Sequence, residues 1–579
     1  MAKTTDQRAL ELIGVGDRLF AARDPLPSYW QEIAEQFYPE RANFTTTITM
    51  GEDFYSHLMD SYPVQLRREL GNAISAMLRP RDRPWFRGST GLSDLDEDDA
   101  VAKFLEYIAE RQRRALYDSR TKFIAATKMG DHDFISFGNA VISLDEDPSR
   151  THLYFENHHL NDCAWMDNAI GDVDILHRKR QMTAYQMKRV FGEKNLAEPV
   201  KRACKDSPHA TFNVRCIVMP RDVYDYVGTD SDTPSKRGQG KRLPFVRIWI
   251  DADNQKVLRE GGLPDFNYVV PRWHRVSNWA YAFSPATAVA LPDGRLSQQL
   301  ARIILESGEK AIDPPMVARE EAVVEANLAA GAITWIDSAY DEKLGDPFHP
   351  VDLSPDMRTA FAMREDLRAV LTKSFFLDKL NLPSSEGKEM TAYEVSRRLE
   401  EYVRAALPLF EPMEVEYNTR LLDKSFAYLA NMNAFDFSLM PEELRGRDIE
   451  WRFESPIQSA ATKLKVSQFA QVMQLRMGAL EAGATQDPLD VNIAYREAAR
   501  ASGAPAGWFK PLDQILEEAQ AAAEEAEIMK GIGQIGAGAE VANKVGDAAG
   551  KLRDGLDGLP PGAINKMLAL PPPAPRGGQ

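Results

Sequence analysis

Cysteine is scarce in this chain of 579 residues: Cys163, Cys204 and Cys216 are all there are, and no two stand in a CxxC spacing. That excludes a disulfide scaffold and a cysteine zinc site, and it fits a reducing compartment. Long apolar runs are missing too. No stretch approaches the roughly 18 apolar residues of a membrane span, so no contact with a membrane is expected. The stretch Met1-Ala2-Lys3-Thr4-Thr5-Asp6-Gln7 lacks the apolar core of a signal peptide. Nor is there an excess of positive charge. The formal net charge is −16, which argues against a protein that coats nucleic acid by neutralising phosphates, though not against a conduit that lets DNA pass.

The motifs of common enzymes are absent as well. No GxxxxGK[ST] loop occurs to cradle a nucleotide; Gly387-Lys388 lacks the upstream glycine and is followed by Glu389. No serine stands in GxSxG. Gly531-Ile532-Gly533-Gln534-Ile535-Gly536 matches GxGxxG, but a strand must precede that motif and a Glu/Ala-rich helical stretch does. Asp131-His132-Asp133 and His158-His159 suggest a metal at first sight. Adjacent strand residues point to opposite faces, however, so such a pair reads as surface or turn histidines. The acidic run Asp94 to Asp99 reads as a solvated loop and helix cap. No catalysis, metal or cofactor is expected.

What is present describes a soluble globular chain, 44% hydrophobic and 27% charged, long enough for about three or four domains. Helices fill residues 5–38, broken at Asp24-Pro25-Leu26-Pro27. Leu58, Tyr62, Leu66, Leu70, Ile74 and Leu78 then recur at steps of four. The basic turn Arg79 to Pro84 reads as a solvated loop that packs Trp85 and Phe86 into a core, and a further helix is expected over 98–129. Strand patterns follow at Ala140 to Leu144 and His152 to Phe155, with a hairpin through Ala169-Ile170-Gly171-Asp172 and strands at 211–220 and 244–283. Asp230 to Lys241 has the composition of a mobile surface loop.

The stretch Ala286 to Phe410 organises the rest. One helix carries Leu296, Leu300, Ile303 and Ile304 and stops before Asp313-Pro314-Pro315. An insert contains a short strand candidate, Ile333 to Ile336. A second helix carries Met363, Leu367, Val370 and Leu371, and Asn381 to Lys388 is loop chemistry throughout. Thr391-Ala392-Tyr393-Glu394 then has capping-box spacing for a third helix ending at Pro408. Ile449 to Phe453 reads as a strand, 460–530 as helices, and the segment from Gly531 as disordered or weakly helical.

Helix, insert, helix, polar loop and a helix opening Met390-Thr391-Ala392-Tyr393-Glu394-Val395 resemble the portal, or head-to-tail connecting, proteins of short-tailed double-stranded DNA phages. Phe137-Gly138-Asn139-Ala140-Val141 and the hairpin leading into Gln181 to Met187 resemble the same family, and the likeness covers residues 5–455. It implies an α+β, mainly α portal fold. In that layout the wing spans 1–284, the stem helices 285–312 and 353–378, the clip 313–352 and the tunnel loop 379–390. A long helix and a return to the wing would span 391–455, the crown 456–530 and a Gly/Ala/Pro-rich tail 531–579.

The resemblance further implies a dodecameric ring at a capsid vertex, assembled in the host cytoplasm and contacting capsid and scaffold proteins. Double-stranded DNA would pass through it during packaging and ejection, and the terminase motor and tail adaptor would dock on the clip. In such a ring Arg364, Arg368 and Lys373 of the second stem helix, with Lys379 and Lys388 of the loop, are candidates to face DNA. The alternative for Arg364 and Arg368 is a pair with Glu365 or a neighbouring subunit. Arg319, Glu320, Glu321, Trp335 and Asp346 are the clip candidates. Two rival readings remain: another virion ring of tail or scaffold, and an oligomeric enzyme with an unfamiliar site.

Overall fold

The structure, a computed structural model, describes residues 5–49, 51–81, 83–96, 98–147, 151–226, 243–312, 316–318, 323–325, 335–336, 348–350, 357–380, 411–453, 469–478 and 491–501. It is a mixed α/β protein in which helix accounts for more than half of the well-defined chain.

Helices α1 (Thr5–Ala22) and α2 (Pro25–Phe37) are separated at Asp24, and two prolines open α2, where a missing amide costs nothing. The repeat at steps of four predicts a helix from Leu58, but α3 (Tyr62–Leu78) starts one turn later with Pro63 in its first turn. The proline sets the start and leaves Leu58 in the preceding turn. The predicted helix over 98–129 is also two. Asp98 caps α4 (Asp99–Leu116) by accepting from the amides of Ala100 and Val101. A 3₁₀ turn capped by Asp118 and a left-handed Lys122 then separate it from α5 (Phe123–Phe137). Apolar periodicity runs through that break, and neither glycine nor proline marks it. Gly138, at φ +73, ends α5 beside the Phe283–Ser284 backbone, where a Cβ would collide.

Strand β1 (Phe86–Ser89) pairs antiparallel with Glu450–Phe453, so the chain returns to its N-terminal core near residue 450. Strands β2 (Val141–Glu146) and β3 (Leu153–His158) form a sheet with Tyr268–Val269, in the order β3, β2, Tyr268–Val269. A five-stranded antiparallel meander follows: β4 (Cys163–Asp167), β5 (Val173–Thr183), β6 (Thr211–Pro220), β7 (Phe245–Asp251) and β8 (Lys256–Leu263). Gly171 turns the β4–β5 hairpin at φ +92, and a capping box between Thr183 and Gln186 starts the next helix, Ala184–Phe191.

Trp30, Phe37, Phe134, Phe137 and Trp165 centre one apolar core, and Trp85, Phe86, Phe123, Tyr417 and Trp451 a second. The turn after α3 does bury Trp85 and Phe86, yet it is not simply a solvated loop, because Arg79 is buried too.

The two long helices of the organising stretch are α6 (Pro285–Ile312), which ends where Asp313-Pro314-Pro315 begins, and α7 (Met357–Ser374). Between them the composition predicts one short strand. The structure has two antiparallel pairs, Met316–Ala318 with Phe348–Pro350 and Val323–Glu325 with Trp335–Ile336. A six-residue π turn, Glu414–Thr419, leads into α8 (Arg420–Asn431).

Buried histidines make this fold acid-sensitive. Burial, aided by Arg67, holds His132 down at about 4; burial and Arg41 hold His159 at about 4; burial and Arg215 hold His177 at about 3. In the unfolded chain each takes up its proton near pH 6.5. Between about pH 6.5 and 4 the unfolded chain therefore binds more protons than the folded one, so stability rises with pH across that window and the histidines add no slope above it. The denaturation midpoint should fall markedly from pH 7 to pH 4.5; an unchanged midpoint contradicts this.

Candidate functional site

The helices α6 and α7 lie side by side, and Asp60, in the turn before α3, ties them together. Ser297 on α6 donates its hydroxyl to Asp60 Oδ2 at 2.6 Å, and Arg368 on α7 donates to Oδ1 at 3.2 Å. The amide of Tyr62 reaches Oδ1 at 3.0 Å. Gln298 completes the tie: its side-chain oxygen accepts from the amides of Met59 and Asp60, and its nitrogen donates to the Asp60 carbonyl at 2.7 Å. The Tyr62 hydroxyl bonds Thr372 at 2.8 Å, and the Arg368 guanidinium lies 4.7 Å from the Tyr62 ring centre. Gly294 lets α6 approach α2, since a Cβ there would stand 3.0 Å from the Phe37 ring.

This packing divides the apolar stripes. Leu300 on α6 and Leu367 and Leu371 on α7 are buried. Val289, Leu296 and Ile303, seven residues apart on α6, are 62%, 46% and 56% exposed, and Met363 and Val370, seven apart on α7, are 52% and 47% exposed. Each helix thus carries a second apolar line that the described residues of its own subunit leave uncovered.

The candidate cations have unlike surroundings. Arg368 is half-buried in the Asp60 cluster, so its partner is Asp60 rather than Glu365. The Arg364 guanidinium sits 5.0 Å from the Phe361 ring centre, with a buried Nε that finds no hydrogen-bond acceptor among the described residues. Lys373 is exposed. The composition puts Lys379 at the head of a polar loop with no apolar anchor. The structure places it, exposed, in the helical turn Leu377–Leu380. Buried Phe375 and Leu377 anchor that turn, Phe375 packing 5.4 Å from Phe37. Phe376 takes a left-handed φ of +55 between them. Lys388, Arg319, Glu320, Glu321 and Asp346 lie outside the described residues; Trp335 is described by its backbone, in register with Glu325.

The histidines of the Asp131-His132-Asp133 and His158-His159 motifs have local roles. His132 Nδ1 faces Arg67 at 3.2 Å, His158 bonds Ser143 and Arg178, and His159 caps the turn Leu160–Asp162 by accepting from the Asn161 amide.

A family model described as the bacteriophage head to tail connecting protein matches residues 9–509. The chain belongs to that family. A "Probable portal protein" of Bordetella phage BPP-1 is 24% identical over 468 residues, 79% of this chain and 80% of the relative. The "Portal protein" of Salmonella phage epsilon15 is 25% identical over 549 residues, 91% of this chain and 94% of the relative. Among solved structures, a chain described as "Virion of native gene transfer agent (GTA) particle" aligns at 10% identity with 77% of this chain and 94% of its own. The TM-score is 0.31, too low to support an argument about architecture. Family membership makes this chain a phage portal, or head-to-tail connector, and a structural component of the virion. No helix among the described residues is long and apolar enough to cross a membrane.

In this connector, Asp60 and Tyr62 are the residues the motifs do not reveal. Nothing near Asp60 in the chain announces partners more than 230 residues away. Asp60→Ala removes the acceptor shared by α3, α6 and α7 at a cost of about 2 kcal/mol, or roughly 30-fold faster local hydrogen exchange. The acceleration should appear in α6 around Ser297 and in α7 around Arg368, and not in the β5–β6 ladder. A uniform change, or none, would show that Asp60 does not couple the helices.

Proposed function

We propose that copies of this connector close head to tail into a dodecameric ring at one capsid vertex, a conduit for double-stranded DNA during packaging and ejection. The observation that carries this reading is the pair of uncovered apolar lines on α6 and α7. Lines seven residues apart are what a helix offers a second helix, and two different lines on one chain suit a heterologous contact, which closes into a ring when the rotation allows. In this reading Val289, Leu296 and Ile303 of one copy meet Met363 and Val370 of the next. The segments take portal roles: α6 and α7 as stem, 313–352 as clip, 379–390 as tunnel loop, 456–530 as crown.

Lys373 and Lys379, with Lys388 beyond them, supply a positive belt once per subunit, while Arg368 spends its charge on Asp60 and organises the helices instead. Arg364 stands between these roles. Acidic residues elsewhere keep the grip on DNA loose. The clip, with Arg319, Glu320, Glu321, Trp335 and Asp346, docks the terminase motor and then the tail adaptor. Native mass with class-averaged electron microscopy of the purified chain tests the ring: twelve copies of 64.9 kDa weigh about 780 kDa and enclose a central hole. Compact dimers would refute it.

A further inference from the structure

The end of α4, the turn after it and the start of β3 enclose a cleft of about 410 Å³. Arg111, Arg114, Arg120 and His152 line it over a floor that includes Leu153 and Leu429, and Asp118 is the one acid among the described lining residues. Three guanidiniums thus gather here, with Glu110, Asp118 and Asp147 the nearby acids, in a chain whose net charge is −16.

Their present partners are local. Arg111 donates from Nε to the Ala434 carbonyl at 3.2 Å, which leaves its charge uncompensated by that bond. Arg114 bonds Glu110 at 2.7 Å, but Arg113 shares the same carboxylate at 2.9 Å. Arg120 bonds Asp118, two residues away in the chain, through Nε at 3.1 Å and Nη2 at 2.7 Å. The side chains of Arg114 and Arg120 are 72% and 61% exposed, so both guanidiniums can reach a further anion from the solvent side while keeping these local pairs. The helix dipole accounts for cations in the last turn of α4. It does not account for Arg120, which arrives from the turn after the helix.

We propose that this cleft binds the phosphate backbone of nucleic acid, at a site separate from any DNA held by α7. Its arginine donors are long, solvent-exposed side chains spread over the end of α4 and the turn after it. That arrangement suits successive phosphates of a polymer better than one enclosed small anion. Arginine is suited to the task because its planar fork takes two phosphate oxygens at once. The site neither requires nor implies the ring.

The test is binding of a mixed-sequence DNA duplex of about 30 base pairs to the full chain, between about 50 and 200 mM salt. Arg114→Gln with Arg120→Gln should weaken binding roughly tenfold at the lower salt and reduce the slope of log K against log salt by about 2. Both positions are exposed, so the denaturation midpoint should not move. The same decrement should appear in a chain already carrying Lys373→Gln and Lys379→Gln, which separates the cleft from the channel. Unchanged affinity and slope overturn the proposal. So does displacement of the duplex by polyglutamate with the same sensitivity to the variants, which would make this a site for an acidic polypeptide. Displacement by inorganic phosphate at constant ionic strength would make it a small-anion site and overturn it as well.

Discussion

Arg79→Ala will cost this chain about 3–5 kcal/mol, enough to leave much of it unfolded or aggregated. Arg79 and Asp131 are both nearly sealed from solvent, their side chains 3% and 0% exposed, and they are directly hydrogen bonded. The same guanidinium donates to Asn418 Oδ1 at 2.9 Å and lies 4.7 Å from the centre of the Tyr417 ring. Residues from the end of α3, from α5 and from the π turn thus meet at one charge.

Alanine would leave the Asp131 carboxylate buried without its counter-ion, and that desolvated charge is the larger part of the loss. A double change, Arg79→Leu with Asp131→Leu, removes both charges and should recover most of the stability. The order to check by urea denaturation is wild type, then double variant, then Arg79→Ala as the least stable. Exposed Arg81→Ala is the control and should shift the midpoint little. If Arg79→Ala and Arg81→Ala behave alike, the buried pair is not what joins these elements.

Arg79 also shows what a sequence can carry. Its neighbours, a run of prolines and arginines before Trp85-Phe86, mark the end of a helix and the entry of two aromatics into a core, and both occur. That Arg79 itself goes inside depends on Asp131 and Asn418, which lie 52 and 339 residues away. Local chemistry writes local structure. Pro314 and Pro315 end α6, Thr183 with Gln186 starts a helix, and alternation marks the strands of the meander. The break at Leu116 was illegible because no proline or glycine announces it and the stripe continues in phase beyond it.

The candidate site divides the same way. The stripes on α6 and α7 are visible as periods, but a period cannot say how many partners share it. Leu300, Leu367 and Leu371 turn inward, and Leu296, Ile303, Met363 and Val370 do not. That Arg368 bonds Asp60 could not be read locally, because Asp60 is 308 residues away. The polar loop beyond Lys379 likewise gives no sign of the anchoring by Phe375 and Leu377.

Leu296→Glu combined with Ile303→Glu will abolish the proposed ring while leaving the subunit folded. Both residues are about half exposed in the lone chain, so the exchange should cost the subunit itself little, within roughly 0.5 kcal/mol per site. At the proposed seam the same change buries two carboxylates against Met363 and Val370 in every contact, at several kcal/mol each unless they stay in water. A closed ring repeats that penalty around its circumference, so assembly should fail outright rather than weaken. The purified variant should run as a 64.9 kDa monomer with the helical content of the wild type. Two further variants locate the seam. Met363→Glu with Val370→Glu should act alike from the opposite side of the contact, and mixing the two variant chains should yield at most heterodimers, because each retains one intact line. Exposed Leu10→Glu on α1, distant in sequence from both lines, should leave the ring intact. A normal ring in the Leu296→Glu, Ile303→Glu chain would mean that copies meet through some other surface, and the reading of α6 and α7 as paired walls of a channel would fall with it.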